Sequence, residues 1–243
     1  MPEKYEGLYK FARLKYAKSI SMTVPRSKEY MYDCIALMGY FEPDLTRRVI
    51  GVGKRGGLMV DVGANVGYFS LIWLATNVQN TCIAMEPSPV ILPYLISNIQ
   101  SNKLASRTDI RPVAAGSAPG MCRFDMVADE PTGWGRVAGA EEINFGVTVD
   151  VEAIDDMVGA DQMVDFLKID VEGSEALVLE GCRSLLERRR IRNVYLEQNR
   201  PGAIGLGIDE NYSIEILKKS GFEMKRMTKP SPRGIDHWWG YIV

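Results

Sequence analysis

The sequence predicts an α/β domain built on a parallel sheet, preceded by a helical extension over residues 1–57. Three observations point there. The stretch LMVDVGANVGYFS at 58–70 runs from an apolar strand through a tight glycine-containing turn into an apolar helix, the opening half of a βαβ unit. Two later apolar runs, CIAM at 82–85 and FLKI at 166–169, each end on an acid, Glu86 and Asp170, before a further helical segment. The chain closes on two runs, at 222–227 and 237–243, whose connection is too short for a parallel crossover, so this last pair is expected to be antiparallel.

Composition narrows the class. A chain of 243 residues can bury a full core, and 46% hydrophobic with 25% charged residues excludes a disordered chain. No run approaches the roughly 18 apolar residues of a membrane helix. The stretch MPEKYEGLYKFARLKYAKS lacks the apolar block and small-residue cleavage site of a secretory signal, so a cytoplasmic location is expected. Cys34, Cys82, Cys122 and Cys182 are scattered without a CxxC and read as reduced thiols. With a single histidine, His237, a multi-histidine metal site is excluded; any metal would be oxygen-bound in the manner of magnesium, which is not the favoured reading. The net charge of −2 divides into +5 over residues 1–60 and −7 over the rest. A basic arm could gather an anionic substrate such as a phosphorylated or sulfated sugar, and it equally fits a solvated helix face. The acidic overall balance argues against nucleic acid as a partner.

Taken in order, Tyr5, Leu8, Tyr9, Ala12 and Tyr16 fall at helical spacing with Lys and Arg between them, which predicts an amphipathic helix over 3–18 lying on the domain or on a partner subunit. Pro25 breaks the chain, and residues 29–39 and 43–52 read as two short helices leading to a glycine-rich loop at 51–57. This prelude could act as a lid, or join copies of the chain into a homo-oligomer.

In the central stretch, Gly63 and Gly67 permit a sharp turn and close approach of a ligand. Asn65 stands where another glycine would serve, and Asn tolerates the left-handed conformation best among non-glycine residues. The N–H groups of the turn and helix start are expected to face outward and to favour a ligand carboxylate or other anion. Glu86 follows Gly67 by nineteen residues, at the tip of the second strand, where an acid holds a ribose diol by two hydroxyl-to-carboxylate hydrogen bonds. Together these features suggest a nucleoside-bearing cofactor.

Residues 89–102 read as a helix with Pro89 near its start and Pro93 deeper, where it can kink the first turn. TDIRPVAA at 108–115 reads as a third strand. Its small end at Ala115 would let an adenine ring lie flat, or is an ordinary strand-end turn. Residues 121–126 and 147–151 read as paired strands of an insertion. Trp134, in the loop between them, is either substrate-facing or an anchor for a long loop.

In VDFLKIDVEGSE at 164–175, alternation puts Lys168 and Asp170 on one side, and such charges on an apolar strand are costly unless paired or used. Asp170 could orient the cofactor amine, bind a metal or act near the acceptor. Glu172 and Glu175 could instead favour the following helix through its dipole, the preferred reading for Glu175. A fifth strand at 191–198 again ends on an acid, Glu197; residues 199–207 read as a loop, and 211–220 as an amphipathic helix stopped by Gly221.

VDVGANVGYFS, MEPSP, VAAGS and LKIDVEGSE, in this order and spacing, resemble the FkbM family of S-adenosylmethionine-dependent methyltransferases over residues 58–200. The resemblance implies a class I methyltransferase (Rossmann-like) fold over residues 58–243: a seven-stranded sheet in order 3-2-1-4-5-7-6 with strand 7 antiparallel. It implies S-adenosyl-L-methionine as cofactor, released as S-adenosyl-L-homocysteine. Gly63, Asn65 and Gly67 would lie along its methionine part with Asp61 and Tyr68 beside them. Glu86 would hold the ribose, with Pro87 and Ser88 following, while Ala115 and Asp170 complete the set. Such enzymes mostly methylate hydroxyl oxygens, which implies a sugar, glycan or natural-product acceptor. The base is then Asp170, Glu172 or His237; His237 has a suitable intrinsic pKa but sits at the closing loop, and beside Trp238 and Trp239 it reads otherwise as a packed edge residue. An N-methyltransferase, an NAD-dependent oxidoreductase and a non-catalytic cofactor-binding protein are the alternatives. The oxidoreductase is disfavoured because GANVG lacks the third glycine of GxGxxG.

Overall fold

The structure, a computed structural model, describes residues 9–26, 29–126, 135–137, 146–159 and 161–242. Trp134 lies outside the described residues. The chain forms two compact units, one holding the described residues up to Pro112 and the other those from Val113 onward. Their strands include a mostly parallel seven-stranded sheet, the expected α/β architecture. Among the described residues no helix is long and apolar enough to cross a membrane.

The first unit comprises β1 (Tyr9–Arg13), β2 (Ser21–Pro25), α1 (Tyr30–Met38), α2 (Pro43–Gly53), β3 (Leu58–Val62), α3 (Tyr68–Thr76), β4 (Thr81–Met85), α4 (Leu92–Ser101) and β5 (Thr108–Arg111). β3, β4 and β5 are adjacent and parallel. The helix expected over 3–18 is overturned across its described part, because β1 and β2 form an antiparallel hairpin. Phe11 and Arg13 are exposed while Ala12 and Leu14 are buried, so a period of two wins over the 3.6-residue spacing. The hairpin also has something to bury, since Met22 and Val24 of β2 lie in the core. α4 completes the free edge of β2: Asn98 and Asn102 bond both the N–H and the C=O of Thr23 and Ser21, respectively.

The two helices expected at 29–39 and 43–52 are present as α1 and α2. α2 packs on α3, whose residues 68–74 are all buried, so the N-terminal elements cover a helix that is apolar on every side. α4 begins at Leu92, which places Pro93 in the first turn, where its missing N–H breaks no hydrogen bond and no kink follows.

The strand expected over 108–115 divides at Pro112, which cannot donate to a ladder. β5 pairs with β4, whereas β6 (Ala114–Ala115) begins the second unit. There β6 joins β7 (Gly120–Met126), β8 (Gly135–Val137) and β9 (Gly146–Glu152) in a four-stranded sheet of order β6-β9-β7-β8, with β7 and β9 antiparallel as expected. The chain continues through α5 (Ile154–Met157), β10 (Phe166–Ile169), α6 (Glu175–Glu180), α7 (Arg183–Glu187), β11 (Asn193–Asn199), α8 (Arg200–Gly205), α9 (Tyr212–Lys219), β12 (Phe222–Arg226) and β13 (Ile235–Ile242). β10 and β11 are parallel, and β13 runs antiparallel to both β11 and β12. The loop expected at 199–207 contains α8, started by the Asn199 side chain accepting the Gly202 N–H and by Pro201 in the first turn.

Candidate functional site

In the first unit the site is built at the carboxyl ends of β3 and β4. Gly63, Asn65 and Gly67 all adopt left-handed conformations, with φ of 74°, 51° and 87°. A Cβ on Gly67 would lie 2.7 Å from the Cδ1 of Leu95 of α4, a side-chain end that can shift, so it is the positive φ that calls for glycine there. The expectation that the turn presents its N–H groups outward is overturned for residues 63–67. Gly63 and Ala64 donate to the Met85 carbonyl, Asn65 to Glu86 Oε2, Val66 to Asn65 Oδ1, and Gly67 to the Ala64 carbonyl. The donors of this turn are therefore taken up within the protein, by the turn itself and by the end of β4.

Glu86 is 6% exposed, and each of its oxygens accepts a backbone N–H: Asn65 to Oε2 and Ser88 to Oε1, both at 2.8 Å. A carboxylate has about four acceptor positions, so these two bonds are compatible with accepting ribose hydroxyls as well. Ser88 Oγ in turn accepts the Ile91 N–H, and Pro87 links the two residues, so this segment fixes the acid. Asp61 is fully buried and accepts the Ser70 hydroxyl at 2.6 Å, tying β3 to α3. Tyr68 is buried too, its hydroxyl 3.1 Å from Thr46 Oγ1 of α2. One residue escaped sequence reasoning: Tyr32 of α1, fully buried, donates its hydroxyl to Asn65 Oδ1 at 2.9 Å. Nothing in the spacing of 29–39 distinguishes it from an ordinary core aromatic.

In the second unit, Ala115 is buried in β6, and the small residues around it answer to packing. A Cβ on Gly116 would lie 2.6 Å from Val151, and one on Gly181 would meet the Gly116 carbonyl oxygen at 2.1 Å.

Asp170 follows β10, half-buried, with Lys168 Nζ 3.4 Å from its Oδ2; Lys168 itself is only 2% exposed. The pairing that alternation demanded is therefore met. The chain then turns through Glu172 at φ 57° and Gly173 at φ 117°. Glu172 Oε2 accepts the Asn199 amide at 2.6 Å. Carboxylate oxygens of Asp170, Glu172 and Glu197 lie within 4.8 Å of one another, an arrangement of donors that could hold a divalent cation.

Glu175 departs from its expected role as a helix-start charge. It is 1% exposed, and its Oε1 accepts the Gly173 N–H at 2.7 Å and the Asn199 N–H at 3.4 Å. Burial pushes its carboxyl up to about 8, against those hydrogen bonds, and the charge of Asp170 adds to the push.

His237 lies within β13 rather than in the closing loop, paired in register with Glu197 of β11. Its Nδ1 shares a 2.6 Å hydrogen bond with the Tyr195 hydroxyl and stands 3.5 Å from Glu197 Oε2. Burial pulls the imidazole below its usual value, while Asp170 and Asp236 push it up.

The family model described as the methyltransferase FkbM domain matches residues 61–224. Methyltransferase sdnD of Sordaria araneosa is 27% identical over 198 residues, covering 69% of this chain and 74% of that protein. Methyltransferase 1 of Beauveria bassiana is 27% identical over 142 residues, 51% of this chain and 57% of that protein. Among solved structures, a methyltransferase FkbM from Methylobacillus flagellatus KT superposes with a TM-score of 0.51 at 18% identity, over 76% of this chain and 43% of that one. At that identity the likeness concerns the fold.

Proposed function

Because the matched domain spans more than half of its length, the chain belongs to the FkbM methyltransferase family, and we propose that it transfers a methyl group from S-adenosylmethionine to a hydroxyl of a small-molecule or glycan acceptor. The observation that carries the cofactor reading is Glu86: a buried carboxylate at the tip of β4, fixed by two backbone N–H groups and adjoining a left-handed turn. The residues present fit the nucleoside. Glu86 would take the ribose hydroxyls, while Gly63, Asn65 and Gly67 keep the backbone low beside the ligand. Asp61 and Tyr68 hold the turn's flanks through Ser70 and Thr46.

Bound there, S-adenosylmethionine supplies an electrophilic methyl group on a sulfonium. The protein's share is to align the acceptor oxygen and to take up its proton. Of the three expected catalytic groups, Glu172 is engaged by Asn199 and shapes the turn after β10. Asp170, half-buried beside Lys168, offers a carboxylate oxygen as proton acceptor. His237, its imidazole pulled below its usual value by burial, offers a ring nitrogen steadied by Tyr195 and Glu197. Proton acceptors of this kind suit a hydroxyl, which must lose its proton as the new bond forms. The family tendency toward oxygen acceptors supports the same choice.

Calorimetric titration with S-adenosylhomocysteine tests the cofactor assignment. Micromolar binding is expected, and it licenses a mass-spectrometric screen of hydroxylated acceptors for a methyl gain. No binding by demonstrably folded protein refutes the assignment.

A further inference from the structure

Left-handed Asn65 holds a conformation that costs most non-glycine residues free energy and that Asn adopts with the help of local hydrogen bonds. Its side-chain oxygen supplies part of that help, accepting the Val66 N–H at 2.7 Å and the Tyr32 hydroxyl at 2.9 Å. Its own N–H supplies the consequence, donating to Glu86 Oε2 at 2.8 Å. Tyr32, Asn65 and Glu86 thus form one hydrogen-bonded chain, running from α1 to the acid at the tip of β4. Tyr32 is fully buried, so its hydroxyl has no exchange with bulk water to replace a lost partner. The aromatic ring alone would fill the space; the hydroxyl is what reaches Asn65.

We propose that Tyr32 is a positioning residue for cofactor binding, which acts through Asn65 to orient the Glu86 carboxylate and so makes α1 part of the cofactor site. This rests on the reading of Glu86 as the ribose-binding acid. Its consequence is that cofactor affinity depends on a hydroxyl belonging to the N-terminal segment, outside every motif that signals the family resemblance. A buried phenol is held protonated, and burial and the nearby Glu86 both push the Tyr32 hydroxyl well above its usual value, so it stays a donor.

The test is a thermodynamic cycle read by calorimetry with S-adenosylhomocysteine, on the full chain, with Tyr32→Phe, Asn65→Gly and the double variant. Tyr32→Phe keeps the ring and removes the hydrogen bond. Asn65→Gly keeps the left-handed backbone and removes the acceptor. Loss of one positioning hydrogen bond is expected to weaken binding about fivefold in Tyr32→Phe. Asn65→Gly should weaken it at least as much, and the double variant should bind no worse than Asn65→Gly alone, because the hydroxyl acts only through that side chain. A merely structural tyrosine would lower the melting temperature and leave affinity unchanged, or would add its full loss to that of Asn65→Gly. Either result overturns the proposal. Should Tyr32→Phe fail to fold, Asn65→Gly decides alone, since unchanged affinity there refutes the relay. Absence of binding by folded wild-type protein overturns the cofactor reading and this inference with it, whereas wild-type binding with an unaffected Tyr32→Phe overturns the inference only.

Discussion

Glu175 gives the fold a pH dependence that can be worked out beforehand. In the unfolded chain its carboxyl titrates near 4.5, whereas burial in the folded protein raises it to about 8. Between those values the folded state holds one proton more than the unfolded state. Stability from this group is therefore fully present below the lower value and is lost as pH rises through the higher one. The slope is at most about 1.36 kcal/mol per pH unit, so a window of roughly 3.5 pH units is worth on the order of 4–5 kcal/mol. Glu175→Gln removes the titration while keeping an oxygen to accept the Gly173 N–H. Urea denaturation at intervals from pH 5 to pH 8 should show the wild type losing stability relative to the variant by several kcal/mol across the range. The other titrating groups are common to both proteins and cancel in the difference, apart from Asp170, whose charge acts on Glu175. Parallel stability curves would refute the claim that burial governs this carboxyl.

Replacing Glu86 by alanine removes the acceptor of the Asn65 and Ser88 N–H groups, and S-adenosylhomocysteine binding measured by calorimetry should weaken at least tenfold; an unchanged affinity takes Glu86 out of the ribose site. For Asp170→Asn, turnover on an identified acceptor should fall about 100-fold, within the range of general-base effects, while the melting temperature falls by only a few degrees; wild-type rates would remove Asp170 from the chemistry. Gly173→Ala places a Cβ 2.4 Å from the Gly202 carbonyl carbon at a φ of 117°, so thermal denaturation should show a loss of about 3 kcal/mol or more, and a neutral effect would mean that the turn after β10 is not packed against α8 as described.

What the sequence disclosed follows from how local each signal is. The turn at 63–67 and the acid at 86 were legible because their chemistry lies in residue type at fixed spacing: glycine or asparagine where φ must be positive, and an acid one βα unit later. The hairpin of β1 and β2 was not, since Tyr9, Ala12 and Tyr16 satisfy a helical period while Ala12 and Leu14 also satisfy a strand period. Asn98 of α4 and Asn102 just beyond it, some eighty residues away, help settle the matter by completing the edge of β2. α8 was a different kind of miss. Asn199 followed by Pro201 is a helix-start signal in its own right, masked by the loop-like glycines at 202 and 205. Tyr32 and Glu175 were illegible for a third reason. What sets them apart is where their polar atoms end up, and a single sequence carries no sign that a helix-borne tyrosine will meet Asn65 or that a first-turn glutamate will be buried under α8.

Glu86 and Glu175 show one device used twice. Each unit has a strand that ends in a left-handed turn, at Asn65 in one and at Glu172 and Gly173 in the other. In each, the turn's backbone N–H is captured by a buried carboxylate: Asn65 by Glu86, Gly173 by Glu175. Both carboxylates then reach a second backbone N–H, at Ser88 and at Asn199, so each acid fixes two segments at once. The difference lies in what stands next to the lock. The Glu86 lock adjoins the left-handed glycines Gly63 and Gly67. Glu175 adjoins Gly173, whose backbone approaches that of Gly202 too closely to admit even a Cβ. Asp170 follows β10 half-buried beside Lys168, and Glu172 of the same turn accepts the Asn199 amide. The same chemical group thus braces a left-handed turn in each unit by capturing two backbone N–H groups.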